Sequence, residues 1–247
     1  MMCIRKSTGV FDRVCKKDNK QLRVKRRIHL WMVSIGLLVF VLSIGLCVSK
    51  AKKREEFVVV VDAGHGGFDP GKVGKHDVLE KDINLSIALK LKQVLEERDI
   101  RVIMTRDSDK SLATEGARNK KTSDLVNRVE IINSEKVDLL ISIHQNSFTD
   151  SSASGAQVFY HGMSDSGKEF GELLQEILVA DVDRNNRRLA KAGNDYYILR
   201  KSTCPGVIVE CGFLSNPREL ELLCEEIYQT KLADAIGKAV CEYFHIK

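Results

Sequence analysis

No pair of cysteines in this 247-residue chain has the C-x-x-C spacing of a redox or zinc-finger motif. Of the seven cysteines, Cys3 and Cys15 precede a long apolar run and Cys47 lies within it. The other four, Cys204, Cys211, Cys224 and Cys241, are too scattered to read as a disulfide framework. A pairing among them stays open, but isolated buried thiols are the preferred reading and fit surroundings that are not strongly oxidising. The chain also lacks a His-Glu-x-x-His helix and a Gly-x-Ser-x-Gly elbow, which removes two common hydrolase designs. No internal repeat is visible, and low complexity is confined to Ser147 to Ser154, read as an exposed loop. A basic stripe is missing as well. Residues 1–54 hold 14 Lys/Arg against 2 Asp/Glu, whereas residues 55–247 hold 25 against 32. The formal +5 thus combines +12 at the N-terminus with −7 elsewhere, and the acidic remainder argues against a nucleic-acid-binding domain.

Between the two parts runs Leu30 to Val48, 19 residues without a charge and with Trp31 near the start. At about 1.5 Å per residue a helix of that length spans roughly 29 Å, close to a hydrocarbon core of about 30 Å. The flank Arg23, Lys25, Arg26 and Arg27 places the N-terminus on the cytoplasmic side. Residues 1–29 then form a basic cytoplasmic segment, 30–48 a single transmembrane anchor, 49–56 a linker and 57–247 a folded domain outside the membrane. A cleaved signal peptide is the competing reading, since Ser49-Lys50-Ala51 is a passable cleavage site.

From residue 57 onward strand and helix signals alternate. Phe57–Val61, Arg101–Met104, Leu139–Ile143, Gln157–Tyr160, Tyr197–Leu199 and Val207–Val209 read as strands. Ile83–Leu95, Leu125–Ile132 and Phe170–Leu178 read as helices, and Pro217 suits the first turn of a closing helical region. This alternation predicts an α/β domain with a mostly parallel central sheet covered by helices on both faces.

Chemistry-bearing residues sit where these elements end. His65 follows Val-Val-Val-Val-Asp-Ala-Gly, His144 follows Leu-Leu-Ile-Ser-Ile, and Glu210 follows Val-Ile-Val, while Glu80 opens the first helix. In an open α/β sheet such strand ends share one edge, where ligands bind. Two imidazoles and a carboxylate suit Zn²⁺ with one position left open, and a second carboxylate can serve as base. The glycines around His65 invite a phosphate-loop reading. Gly64 to Asp69 misses the last glycine of the dinucleotide fingerprint, and Gly66 to Lys72 is followed by Val73 rather than Ser or Thr. Their better use is to turn the backbone sharply beside an imidazole. Singly, each histidine would read as structural and Glu80 as a favourable helix-start charge. His161, after Gln157–Tyr160, is the main competing ligand. Glu210 differs, because a glutamate buried after three β-branched residues needs a charged or hydrogen-bonded partner.

The segments Val-Asp-Ala-Gly-His-Gly-Gly, Leu-Glu-Lys-Asp, Ser-Ile-His-Gln-Asn and Val-Glu-Cys-Gly-Phe-Leu-Ser-Asn, in that order, resemble the motifs of the zinc-dependent N-acetylmuramoyl-L-alanine amidases of the amidase-3 type. The resemblance runs over about residues 57–247. It implies that His65, Glu80 and His144 hold Zn²⁺, that Glu210 is the catalytic carboxylate, and that Asn146 and Arg106 play supporting roles. Gln145 stands where many members have a small residue, a departure expected to alter the groove. The anchored layout, without a wall-binding repeat, is similar to the spore cortex amidases, which strip stem peptides from peptidoglycan before a deacetylase forms muramic lactam. That implies a location at the forespore or spore envelope. The stretch from Asn146 to Glu210 is too short for a long blocking helix, so activity is expected to be limited by a protein partner outside the membrane or by weak zinc retention. Two other readings remain open: a peptidoglycan-binding or docking module with a structural metal, and a metal-dependent peptidase or deacetylase acting on the same polymer.

Overall fold

The computed structural model describes residues 25–37 and 57–246. Residues 25–37 form a helix, α1, in a unit separate from the domain that begins at Glu56. The rest of the expected anchor, residues 38–48, and the linker lie outside the described residues. Among those described, no helix is long and apolar enough to cross a membrane.

The domain runs β1 (Val58–Ala63), α2 (Glu80–Glu96), β2 (Arg101–Met104), α3 (Lys120–Ile132), β3 (Leu139–Asn146), β4 (Gln157–Tyr160), α4 (Asp165–Ile177), β5 (Lys191–Ala192), α5 (Tyr197–Lys201), β6 (Gly206–Phe213), α6 (Pro217–Cys224) and α7 (Glu226–Tyr243). The sheet order is β2-β1-β3-β6-β4-β5. Every pairing is parallel except β4 with β6. The predicted α/β class and the mostly parallel sheet are therefore found, with β4 and β5 running against the other four strands.

Side chains alternate across the strands, so each face can be read two residues at a time. Val59, Val61 and Ala63 of β1, Leu139, Ile141 and Ile143 of β3, and Val207, Val209 and Cys211 of β6 pack under α2, α4 and α7 in one large core. On the other face Val60, Leu140 and Ile208 meet Ile132 of α3 and Ile198 and Leu199 of α5. Helix starts are marked in the sequence. Asn119, Ser164 and Asn216 accept main-chain N–H bonds at the first turns of α3, α4 and α6, and Pro217 takes the first-turn position of α6.

Three readings need correction. Tyr197–Leu199 lies in helix α5, not in a strand, because Ile198 and Leu199 are adjacent and both buried in the same cluster, which a strand cannot arrange. The two-residue strand β5 was not anticipated, since Lys191 and Ala192 are exposed and carry no apolar signal. The cysteines of the domain are free, as preferred, but only Cys211 is buried, and Cys224 is exposed.

Candidate metal centre

His65, Glu80 and His144 converge at the carboxyl edge of the sheet, with one ligand atom from each lying within 4.8 Å of the others. His144 is the sixth residue of β3, and His65 stands two residues beyond the parallel neighbour β1. Glu80 is the first residue of α2, which packs on the opposite face and so brings a carboxylate over the sheet edge. His65 Nε2 lies 3.2 Å and His144 Nδ1 3.1 Å from Glu80 Oε1. Close approach also explains Gly64. A Cβ there would fall 2.2 Å from the His144 ring.

Two of the three, His65 and Glu80, are held from behind. A carboxylate only accepts, so His65 Nδ1–H donates to Asp69 Oδ2 at 2.9 Å, leaving the Nε2 lone pair facing Glu80. An imidazole oriented by a carboxylate is the usual outer support of a metal-bound histidine. Glu80 Oε2 accepts from Lys72 N–H, and its Oε1 accepts from Gln145 N–H and Asn84 Nδ2. Two imidazole nitrogens, one of them the His65 Nε2 lone pair, converge on one carboxylate oxygen, an arrangement favourable around a proton or a cation, so the donor set fits a metal ion. Burial pushes the Glu80 carboxyl up, but the hydrogen bonds with His144 and His65 outweigh it and hold the group well below the usual carboxylate range. Burial lowers His65, and Glu80 and Asp69 outweigh that to raise it.

Glu210 pairs across the sheet with His144. Its Oε2 is buried and has no hydrogen-bond partner among the described residues. Burial pushes its carboxyl up to about 7, His144 and His65 pull it down, and Glu80 adds to the rise. A carboxylate near neutrality beside a metal centre is suited to exchanging protons. Tyr196, on the same flank, is itself pushed up to about 12 by burial and by Glu210.

The remaining sequence candidates fall into three places. Arg106 is buried and donates to the carbonyls of Ala63, Gly64, Lys81 and Ser108. Asn146 ends β3, and its Oδ1 accepts from Ser147 N–H in the turn that follows. His161 does not join the cluster. It follows β4, the strand that runs antiparallel to β6, so its strand end lies at the other edge of the sheet. Gln145 does not alter the groove as expected. It alternates away from His144, is 4% exposed, and donates from Nε2 to Asn84 Oδ1 beneath Glu80.

Asp62, Asp69, Asn84 and Arg128 were not found from the sequence. Arg128 bonds Asp62 Oδ1 and Asp124 Oδ2, each at 2.6 Å. The available signal was the spacing Asp124, Arg128, Ile132, which shares one buried helix face.

Three candidate ligands without a fourth among the described residues fit the pattern of hydrolytic metal sites better than that of structural ones, which close with a fourth protein ligand. The sequence profile of the N-acetylmuramoyl-L-alanine amidase family, Amidase_3, matches residues 59–242, and the chain belongs to that family of enzymes. It is 40% identical over 190 residues to the germination-specific N-acetylmuramoyl-L-alanine amidase of Bacillus subtilis, covering 76% of this chain and 79% of that one. It is 30% identical to the amidase AmiA of Escherichia coli, covering 79% of each chain. Among solved structures, the CwlD amidase of Clostridioides difficile in complex with the GerS lipoprotein superposes with a TM-score of 0.75. The two are 41% identical, covering 78% of this chain and all of that one (100%).

Proposed function

We propose that this amidase uses Zn²⁺, held by His65, Glu80 and His144, to hydrolyse the amide between the lactyl carboxyl of N-acetylmuramic acid and L-alanine during spore cortex maturation. The observation that carries the reading is the juxtaposition of the three-ligand cluster with the shielded Oε2 of Glu210. Bound there, zinc supplies Lewis acidity, polarising a carbonyl and lowering the pKa of water towards about 7. Glu210 takes the proton of the attacking water and delivers it to the departing alanine amine. Such general base and acid work typically contributes about 10²–10⁴-fold. Asp69 keeps His65 in the tautomer that presents Nε2, and Asn84 with Gln145 N–H fixes the Glu80 carboxylate.

The spore role is supported by the likeness to a germination-specific amidase, with muramic lactam formation by a deacetylase as the following step. A partner protein outside the membrane is supported by the lipoprotein bound to the Clostridioides difficile amidase. The membrane anchor at residues 30–48 and the placement of the domain beyond it rest on the uncharged run and its basic flank. Exposed Leu30, Trp31 and Met32 on α1 are in keeping with it.

The test is product analysis by mass, with the full-length chain in detergent, zinc-loaded, on intact peptidoglycan. Free stem peptides with an L-alanine amino terminus, released by wild type and not by Glu210→Gln, are the expected result. Shortened peptides or acetate would assign the enzyme to peptidases or deacetylases instead.

A further inference from the structure

We infer that Arg128 is a positioning residue that sets metal affinity through the main chain of His65. The inference rests on the metal-centre reading above and adds a residue from outside the ligand set. His65 has φ +62, a left-handed conformation that costs free energy for any side chain bearing a Cβ. That conformation turns the chain back immediately after β1 and swings the imidazole over the sheet edge. A strained residue persists only where its surroundings over-determine it.

Here the surroundings are two buried guanidiniums gripping three successive carbonyls. Arg128 Nη2 donates to His65 O at 2.5 Å, and Arg128 Nη1 donates to Ala63 O at 2.8 Å. Arg106 Nε also donates to Ala63 O, and Arg106 Nη2 donates to Gly64 O at 3.0 Å. Arg128 reaches across from α3 and is itself locked by Asp62 of β1 and Asp124 of its own helix. Asp62 is fixed in turn by the hydroxyls of Thr105 and Ser142. The chain of contacts therefore runs from three strand and helix elements to one peptide carbonyl, that of a metal-ligating residue. The planar fork of Arg is what allows one side chain to hold Asp62, Asp124, Ala63 O and His65 O together. An ammonium in its place can balance the two carboxylates but cannot span both carbonyls.

Cobalt(II) is the probe, because its visible spectrum reports ligand geometry where zinc is silent. Full-length wild type, Arg128→Lys, Asp124→Asn and Leu91→Ala are titrated with cobalt against a competing chelator, and their melting temperatures are measured alongside. Loss of an outer support typically weakens metal binding by about 10–100-fold. Arg128→Lys is expected to fall in that range with an altered spectrum. Asp124→Asn, which removes the acceptor of Arg128 Nε and keeps an oxygen for Ser111 Oγ and Leu112 N–H, should show a smaller loss in the same direction and keeps the test usable if the lysine variant does not fold. Leu91→Ala, a cavity in the core under α2 and outside the clamp, should lower the melting temperature but keep wild-type affinity and spectrum. Wild-type affinity and spectrum in Arg128→Lys, or in Asp124→Asn should the lysine variant not fold, would overturn the inference. So would equal losses in Arg128→Lys and Leu91→Ala at matched stability. If wild type itself bound no cobalt, the metal-centre reading would fall and this inference with it.

Discussion

The two faces of the central sheet are built from the same strands yet obey different chemistry. Under α2, α4 and α7 every inward residue of β1 is apolar: Val59, Val61 and Ala63. On the other face β1 reads Val58, Val60, Asp62 and β3 reads Leu140, Ser142, His144, while β6 goes from Ile208 to Glu210. That face changes from hydrocarbon to polar or ionic side chains within two residues along three neighbouring strands. The apolar face supplies stability by burial, about 25 cal/mol per Å² of apolar surface. The ionic half of the other face contributes little net stability, since a buried pair such as Asp62–Arg128 loses hydration roughly as fast as it gains attraction. What it gains is placement. The strands hold the charges in register, and the helices on the apolar side hold the strands.

The largest effect expected from breaking this contrast is catalytic. Glu210→Gln should cut kcat by about 10²–10⁴-fold with zinc still bound. The same change should stabilise the metal-free protein. The Glu210 pKa is raised in the fold from 4.5 to about 7. Its protonated form is therefore favoured, and the stability present below pH 4.5 is lost as pH rises through about 7. Removing the titration should recover up to about 3 kcal/mol at pH 8, read as a higher denaturation midpoint. A lower midpoint for Glu210→Gln would contradict the assignment of burial as the cause.

Asp62→Asn removes one of the two carboxylates that neutralise the buried Arg128, leaving Asp124, and should cost about 1–3 kcal/mol in urea denaturation. Leu91→Ala, on the apolar face, should cost about 2–5 kcal/mol by leaving a cavity. The two variants should separate in their second readout: metal affinity should fall for Asp62→Asn and hold for Leu91→Ala. A smaller effect concerns acid. Burial raises Asp62, but Arg128 with Ser142 and Thr105 outweighs it and lowers the carboxyl from 3.8 to about 2. Its contribution of about 2 kcal/mol is complete above pH 3.8 and disappears as pH falls through about 2. Wild type should therefore lose more stability than Asp62→Asn between pH 5 and pH 2.5 in calorimetry, and parallel losses would sink that account.

The contrast between the faces also explains what was legible in the sequence. A charge that interrupts an apolar run is conspicuous, so His65, His144 and Glu210 stand out at the ends of β1, β3 and β6, and Glu80 at the start of α2. Arg128 was hidden because a charged residue on a helix is ordinarily solvated, and only the partner across 66 positions, Asp62, makes it buried. Asp69 and Asn84 likewise look like loop and helix-surface polar residues until the fold brings His65 and Glu80 against them. Local pattern also leaves strand direction open. Gln157–Tyr160 was found as a strand, but nothing within it says that it runs antiparallel, and that reversal is what removes His161 from the metal cluster.

The most direct test is crystallographic. Crystals of the zinc-loaded protein, measured at the zinc absorption edge, should give one strong anomalous peak among His65 Nε2, Glu80 Oε1 and His144 Nδ1, with bond lengths of about 2.0–2.2 Å. A peak at any other cluster, or loaded protein with no peak there, would contradict the central claim that the ionic end of this face is a metal centre.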